Sequence, residues 1–415
     1  MQQFLSKFFS LGLVVLILFL IDLYVFQAVR TVTQNLSPVG QRVIYTLFWL
    51  IFAITSATFI FITATRGSIS LSFFKTYLTS ALFILFASKL VVVVFLILDD
   101  LVRLGKMALN AASTDASFDP SRNAFLNQMG LVLAAVPFSA FIYGMVKGAY
   151  DYRVKRVTLK FPNLPQAFDG YKMLQISDLH TGSFTSTAPL KEAVKLINKQ
   201  EADLVFFTGD LVNNMAVELT DHLDTLKEIK AKEGVYSILG NHDYGDYVTW
   251  ESLEAKQQNL RNLVAAHGKM GWDILLNEHR RIEKDGEHIA ILGVENWGNR
   301  HGFPKYGKLH QAHQGTAESP FKVLLSHDPS HWDGEVNHLY PDIDLTLSGH
   351  THGMQFGVNI PGLKWSPVQY IYKHWAGLYK KGEQYLYVNT GLGFLGYPGR
   401  VGFLPEITVF ELKKA

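Results

Sequence analysis

Residues 172–180 read KMLQISDLH, residues 204–210 LVFFTGD and residues 235–243 VYSILGNHD. Farther along, 323–328 read VLLSHD and 344–353 read DLTLSGHTHG. In each stretch a short apolar run stops at a cluster drawn from Asp, His, Asn and Gly. A buried sheet whose strands end at one shared, chemically active edge produces this pattern. No other part of the chain concentrates so many metal-binding side chains.

Between and after the first three runs lie segments with helical character, around 190–199, 217–229 and 250–267. Strand and helix in alternation imply a sheet with helices packed outside it. After Trp272 the pattern changes to short strands alone, at 274–276, 280–282, 288–294, 321–325, 343–347, 385–389 and 407–412. A second sheet built partly from hairpins fits that run. No internal repeat or low-complexity tract interrupts it.

Upstream the chain is of another kind. Four apolar runs, at 8–29, 43–65, 76–98 and 126–146, each reach the roughly 20 residues that cross a bilayer. The first is longer than the apolar core of a signal peptide and lacks a small-x-small cleavage site, so it reads as a retained helix. The division that follows is a membrane domain over 1–147, a basic linker with a first strand over 148–170, and a catalytic domain over 171–415. Asp22 and Lys89 are the charged residues well inside the spans. They are either an intramembrane pair or substrate path, or two groups that reach an interface or satisfy one another.

An even number of spans puts the N-terminus and the catalytic domain on one side. That side carries Lys7, Arg66, Lys75, Lys147, Arg153, Lys155, Arg156 and Lys160, against Arg30, Arg42, Arg103, Lys106 and Arg122 on the other. The excess points to a multi-pass protein of the cell membrane with its catalytic domain in the cytoplasm. The cluster after the last span also suits contact with anionic lipid. A net charge of +2 gives no electrostatic case for a nucleic-acid surface. The absence of cysteine excludes disulfides, thiolate catalysis and sulfur-ligated zinc.

Asp178 and His180 are two residues apart, as are His350 and His352. In extended backbone such pairs point the same way and can present two ligands to one ion. Oxygen and imidazole donors without sulfur suit Mn, Fe, Zn or Co. A carboxylate such as Asp210 can bridge two ions, and a pair about 3.5–4 Å apart clamps the attacking and leaving oxygens of a phosphoryl displacement. Each fragment alone reads equally well as turn chemistry. Five in order, each at a strand end, point to a metal centre.

The ordered set Asp-x-His, Gly-Asp, Gly-Asn-His-Asp, His and Gly-His-x-His resembles the calcineurin-like metallophosphoesterases from about residue 172 to the C-terminus. Residues 376–379, 387–393 and 405–408 are similar to the bacterial membrane-associated branch, and vertebrate transmembrane proteins with a metallophosphoesterase domain share the layout. The resemblance implies a four-layer α/β/β/α sandwich holding two divalent ions. It implies Asp178, His180 and His352 on the first metal, Asp210 as the bridge, and Asn241, His327 and His350 on the second. His242 would protonate the leaving oxygen or stabilise the transition state, and a water or hydroxide between the metals would attack. Protein Ser/Thr phosphatases carry arginines after Gly-Asp and before Gly-Asn-His. Here those places hold Asn213-Asn214 and Leu239, which removes the grip on a phosphoprotein.

Three further segments draw attention. Arg300, His301, Lys305, Lys308, His310 and His313 lie among glycines in 296–313, either as a lid over phosphate or as a solvated loop. Trp365, Tyr370, Tyr372, Trp375 and Tyr379, with Lys364 and Lys373, suit either the headgroup region or a wall under the site. Arg400 follows a Gly-rich turn and is placed either to bind substrate phosphate or to form a salt bridge. The reading is a membrane-anchored phosphohydrolase for a phosphoester or pyrophosphate, on a phosphorylated small molecule or a lipid-linked substrate. A tethered phosphodiesterase for soluble nucleotides and a non-catalytic sensor or transporter are the alternatives.

Overall fold

Phe206 and Phe207 are adjacent in the chain and belong to different cores. Successive side chains of a strand point to opposite faces, so an all-apolar strand needs cover on both. The computed structural model supplies that cover, and describes residues 2–64, 72–109, 120–300 and 302–415; Arg66 and His301 lie outside them.

The described residues fall into two compact units, Met1–Tyr143 and Gly144–Ala415. The first contains α1 (Gln2–Thr33), α2 (Pro38–Ala64), α3 (Ser72–Leu109) and most of α4 (Pro120–Val146). All four helices are long and apolar enough to cross a bilayer. Lys89 of α3 meets Asp22 of α1 at 2.5 Å, so the two charges satisfy one another.

The second unit opens with β1 (Arg153–Phe161), β2 (Lys172–Ile176), β3 (Leu204–Phe207), β4 (Val235–Ser237) and β5 (Trp272–Ile274). It continues with β6 (Glu278–Lys284), β7 (Glu287–Gly293), β8 (Lys322–Leu325) and β9 (Leu345–Ser348). A separate ribbon of β10 (Val358–Ile360) and β11 (Leu363–Trp365) precedes β12 (Gly377–Lys381), β13 (Gln384–Val388) and β14 (Glu406–Lys414). Two six-stranded sheets result, in the orders β1-β14-β2-β3-β4-β5 and β12-β13-β9-β8-β7-β6. Strands β2 to β5 run parallel, as do β13, β9, β8 and β7.

Between the sheets sit Met173, Leu204 and Phe206 from one side, with Ile291, Val323, Leu325 and Leu347 from the other. On the outer face of the first sheet, Leu174, Val205 and Phe207 pack against α5 (Ala188–Asn198) and the helix Leu253–Lys269. On the outer face of the second, Leu292, Leu324 and Leu386 meet Leu309, Trp332 and Val336. The order of layers is α/β/β/α, as the resemblance implies.

The segment 217–229 is not one helix. Glu218 accepts from the backbone N–H groups of Asn213 and Met215 at 2.6 and 3.1 Å. What forms is a 3-10 turn at Ala216–Leu219 and one helical turn at Leu223–Leu226. A side chain that caps its own N-terminus this way closes the loop after Asp210 rather than extending a helix.

Candidate metal centre

The loops that leave β2, β3, β4, β8 and β9 all start at the carboxyl ends of parallel strands, and there the seven predicted ligands meet. Asp178, His180 and His352 offer donor atoms within 4.8 Å of one another, and so do Asp210, His327 and His350. Asn241 stands beside the second group, its Oδ1 3.2 Å from His327 Nε2 and 2.8 Å from His350 Nδ1. Asp210 Oδ2 lies 3.1 Å from His327 Nε2 and 3.6 Å from His180 Nε2, between the two groups.

The reason for the Asp-x-His and His-x-His spacings differs from the sequence argument. Asp178, His180, Asp210, His350 and His352 all have φ between 49° and 71°. These are left-handed turns, not extended strand, and non-glycine residues adopt them at a cost that the surrounding structure must offset. The turn also separates the second pair, with His350 in one group and His352 in the other. Two motif glycines are close-approach positions. A Cβ on Gly240 would collide with the Asp210 carboxylate, and one on Gly349 with that of Asp178.

Asp243 locks two of these loops together. Its carboxylate accepts from Gly240 N and Asp210 N at 2.8 and 2.9 Å, and from Leu211 N and Val212 N at 2.8 and 3.2 Å. The turn chemistry of the GNHD sequence therefore serves the site directly. His327 Nδ1–H donates to the Thr208 carbonyl at 2.7 Å, which turns Nε2 inward toward Asp210. His242 Nδ1–H donates to the Asn213 carbonyl at 2.7 Å, its N–H bonds Asp210 Oδ1 at 2.8 Å, and its ring lies against Tyr247. Only half-buried, it stands at the rim while Asp178, His180, Asp210, Asn241 and His327 are buried.

The electrostatics describe a basket shaped for positive charge. Burial opposes ionisation of Asp178, yet His352 and His327 hold its carboxyl well below the usual range. For Asp210 burial is likewise outweighed, by His327 and His242. Burial drives His180 well below the ordinary imidazole value and lowers His350. The fit to metal shows in two places. His180 and His352 face each other through Nε2 atoms 3.0 Å apart, and Asp210 Oδ2 stands 3.6 Å from the same His180 nitrogen. Nitrogen lone pairs converging on buried carboxylates, with no sulfur, make a donor set for borderline divalent ions.

Sequence reasoning gave no role to Tyr247 or Asp328, and placed Tyr372 only in a headgroup segment or a wall under the site. Tyr372 Oη lies 2.6 Å from His350 Nε2, Tyr247 Oη accepts from Asn241 Nδ2 at 2.8 Å, and Asp328 Oδ2 is 3.7 Å from His350 Nε2. Asp328 adjoins His327 and was the most legible of them; the tyrosines lie in segments without a motif. Arg300, exposed in the 296–313 segment, is nonetheless held in place. It stacks 5.2 Å from the Tyr372 ring centroid and bonds the Ile371 carbonyl at 3.0 Å. Arg400 is buried, and its hydrogen bonds run to backbone carbonyls and a histidine rather than to a carboxylate. It grips the Gly393 carbonyl through Nε and Nη2 at 2.8 and 2.6 Å, bonds the Phe403 carbonyl at 3.1 Å, and reaches His352 Nδ1 at 3.2 Å.

Comparison with known proteins agrees with this construction. Residues 6–149 match the family described as probable calcineurin-like phosphoesterase, transmembrane domain, and residues 171–354 match calcineurin-like phosphoesterase. A metallophosphoesterase of Bacillus subtilis, YkuE, is 32% identical over 304 residues, covering 71% of this chain and 98% of that one. The transmembrane protein with metallophosphoesterase domain of Danio rerio is 30% identical over 323 residues, covering 75% of this chain and 68% of that one. Phosphodiesterase YaeI of Escherichia coli is 28% identical over 244 residues, 58% of this chain and 82% of its own. With four bilayer-length helices ahead of two packed sheets and their ligand-lined edge, the chain is a multi-pass membrane protein that belongs to the calcineurin-like metallophosphoesterases.

Proposed function

We propose that the chain is a phosphohydrolase that uses two divalent metal ions, Mn, Fe or Zn, to cleave a phosphoester or pyrophosphate bond carried by a lipid-linked substrate. The observation that carries this reading is the convergence of two donor groups on the shared carboxylate of Asp210. Asp178, His180 and His352 would hold one ion, Asn241, His327 and His350 the other, with Asp210 between them. A pair of ions so held supplies Lewis acidity toward the phosphoryl oxygens and a water acidic enough to attack at neutral pH.

The protein's own side chains do the rest. His242 Nδ1 is tied to a carbonyl, so its Nε2 is the atom left to exchange a proton with the leaving oxygen. Its backbone N–H orients Asp210, and Asp243 keeps the two loops in register. Tyr372 orients His350 from outside. The side of the membrane is the cytoplasm, on the lysine and arginine excess given above. The name of YaeI, a phosphodiesterase, supports phosphodiester cleavage as the reaction class. A tethered enzyme for soluble nucleotides is the alternative.

The full chain in detergent with added Mn²⁺ should hydrolyse p-nitrophenyl phosphate or its bis ester. Asp210→Ala should abolish turnover. His242→Ala should bind metal as before and lose about 10²- to 10⁴-fold in rate, the usual share of a general acid. Undiminished hydrolysis by Asp210→Ala would refute the assignment. Turnover of a lipid pyrophosphate in mixed micelles, compared with that of nucleotides, decides between the two substrate classes.

A further inference from the structure

The β10–β11 ribbon has apolar side chains where water should be. Val358, Ile360 and Leu363 are 37%, 58% and 52% exposed, and Tyr370 and Ile371 beside them are 77% and 44% exposed. A two-stranded ribbon with neither face covered is marginal in water. Lone exposed leucines need no explanation, but a contiguous apolar projection does.

The root of the ribbon explains what it meets. The fourth bilayer-length segment runs over Ala124–Tyr150, and its end belongs to the soluble unit. There the Gly144 carbonyl accepts from Arg400 N at 3.1 Å, and Gly148 is packed against the Arg400 carbonyl. The next residue, Val401, donates to the Gln355 carbonyl at 2.8 Å and accepts from Gly357 N at 3.0 Å. Gly357 immediately precedes β10. The ribbon is therefore rooted one residue from Arg400, whose backbone packs on residues 144–148 near the end of that bilayer-length segment. Three extended residues reach about 10 Å, comparable with the 5–10 Å depth at which interfacial segments lie.

We propose that the β10–β11 ribbon, with Tyr370 and Ile371, docks into the headgroup layer of the bilayer that the chain already spans. The occupant is lipid rather than protein because the ribbon grows from the end of a span and carries interfacial chemistry. Trp365 Nε1 bonds Tyr370 Oη at 3.3 Å on the exposed side, whereas Lys364 turns inward to the Ala376 carbonyl over the Trp375 ring. Exposed tryptophan and tyrosine side chains of this kind gather at the membrane–water boundary. The docked edge leads to the metal centre through Ile371, whose carbonyl holds Arg300, and Tyr372, which touches His350. A phosphate borne by a lipid headgroup would enter past Arg300; this last step rests on the function proposed above, whereas the docking does not.

The chain contains no cysteine, so a single Ile360→Cys accepts one environment-sensitive fluorophore. Glu283→Cys, on β6 at the opposite edge of its sheet, is the comparison. The full chain is reconstituted in phosphatidylcholine–phosphatidylglycerol vesicles that carry a spin-labelled quencher lipid. The label at 360 should lose most of its emission and the label at 283 almost none. Equal quenching at both places overturns the proposal. So does a label at 360 that is shielded from soluble iodide yet untouched by quencher lipid, because protein then covers the ribbon. In a chain labelled at Tyr370→Cys, adding Ile360→Asp and Leu363→Asp should abolish lipid quenching while the thermal midpoint stays put. Quenching that survives both aspartates refutes the ribbon as the anchor. None of these readouts depends on hydrolysis, so they stand or fall apart from the enzymatic reading.

Discussion

Asp344 shows how one half-buried carboxyl ties pH to stability away from the metal centre. Its oxygens accept from Asn163 Nδ2 and Lys322 N, both at 2.8 Å, joining the loop before β2 to the start of β8. Burial pushes its pKa up to about 6, against about 3.9 in an unfolded chain. The folded form therefore holds this proton more tightly. Its contribution to stability is fully present below pH 4 and is lost as pH rises through about 6. Asp344→Asn should flatten the change in thermal midpoint between pH 4 and 6.5, and an unchanged slope would count against this origin. Legibility at the residue scale followed chemistry. All seven candidate ligands were readable because Asp, His and Asn after apolar runs have few other uses in number. The buried roles of Asp243 and Arg400 were not, since four backbone donors and a ring of carbonyls leave no spacing in the sequence.

At the scale of elements, the helices of the membrane unit were legible from length and apolarity alone. α1 and α3 meet through the apolar side chains of Val25, Ala28, Val92 and Leu96, the Tyr24–Asp100 hydrogen bond and the ion pair of Asp22 and Lys89. Removing one member leaves the other charged and unpaired in an apolar surround, which costs about 3–5 kcal/mol. Asp22→Leu alone should therefore lower the unfolding midpoint in detergent, and Asp22→Leu with Lys89→Leu should recover most of the loss. A double variant no better than the single would show that an unpaired charge is not the source of the loss. Ten of the twelve strands in the two sheets were legible within a few residues; β1 was read only as a first strand somewhere in the linker, and β12, GLYKK, has too few apolar residues to stand out. The β10–β11 ribbon was not legible either, because its strands span three residues each and bury neither face. The 217–229 segment misled for another reason: Glu218 suits a helix by propensity and here bonds backbone outside one.

Across the whole molecule, two buried carboxylates and a ring of imidazoles are held in left-handed turns by the sheets beneath them. Ions bound only to the folded form would stabilise it by about 2.7 kcal/mol per site when free metal is about a hundredfold above Kd. Stripping metal with a chelator should lower the midpoint of the soluble unit, Mn²⁺ should restore it, and Asp210→Ala should respond to neither. A midpoint indifferent to chelation would argue that the basket holds no ion. The strand order has a different consequence, for synthesis. Strand β14 sits between β1 and β2, and β1 has no other neighbour in its sheet. The ribosome delivers Glu406–Lys414 more than two hundred residues after β2. At about 5–20 residues per second that delay is on the order of ten seconds or more. Throughout it, a nascent chain already threaded into the membrane exposes an open sheet edge, and that interval is where a holding chaperone would be needed.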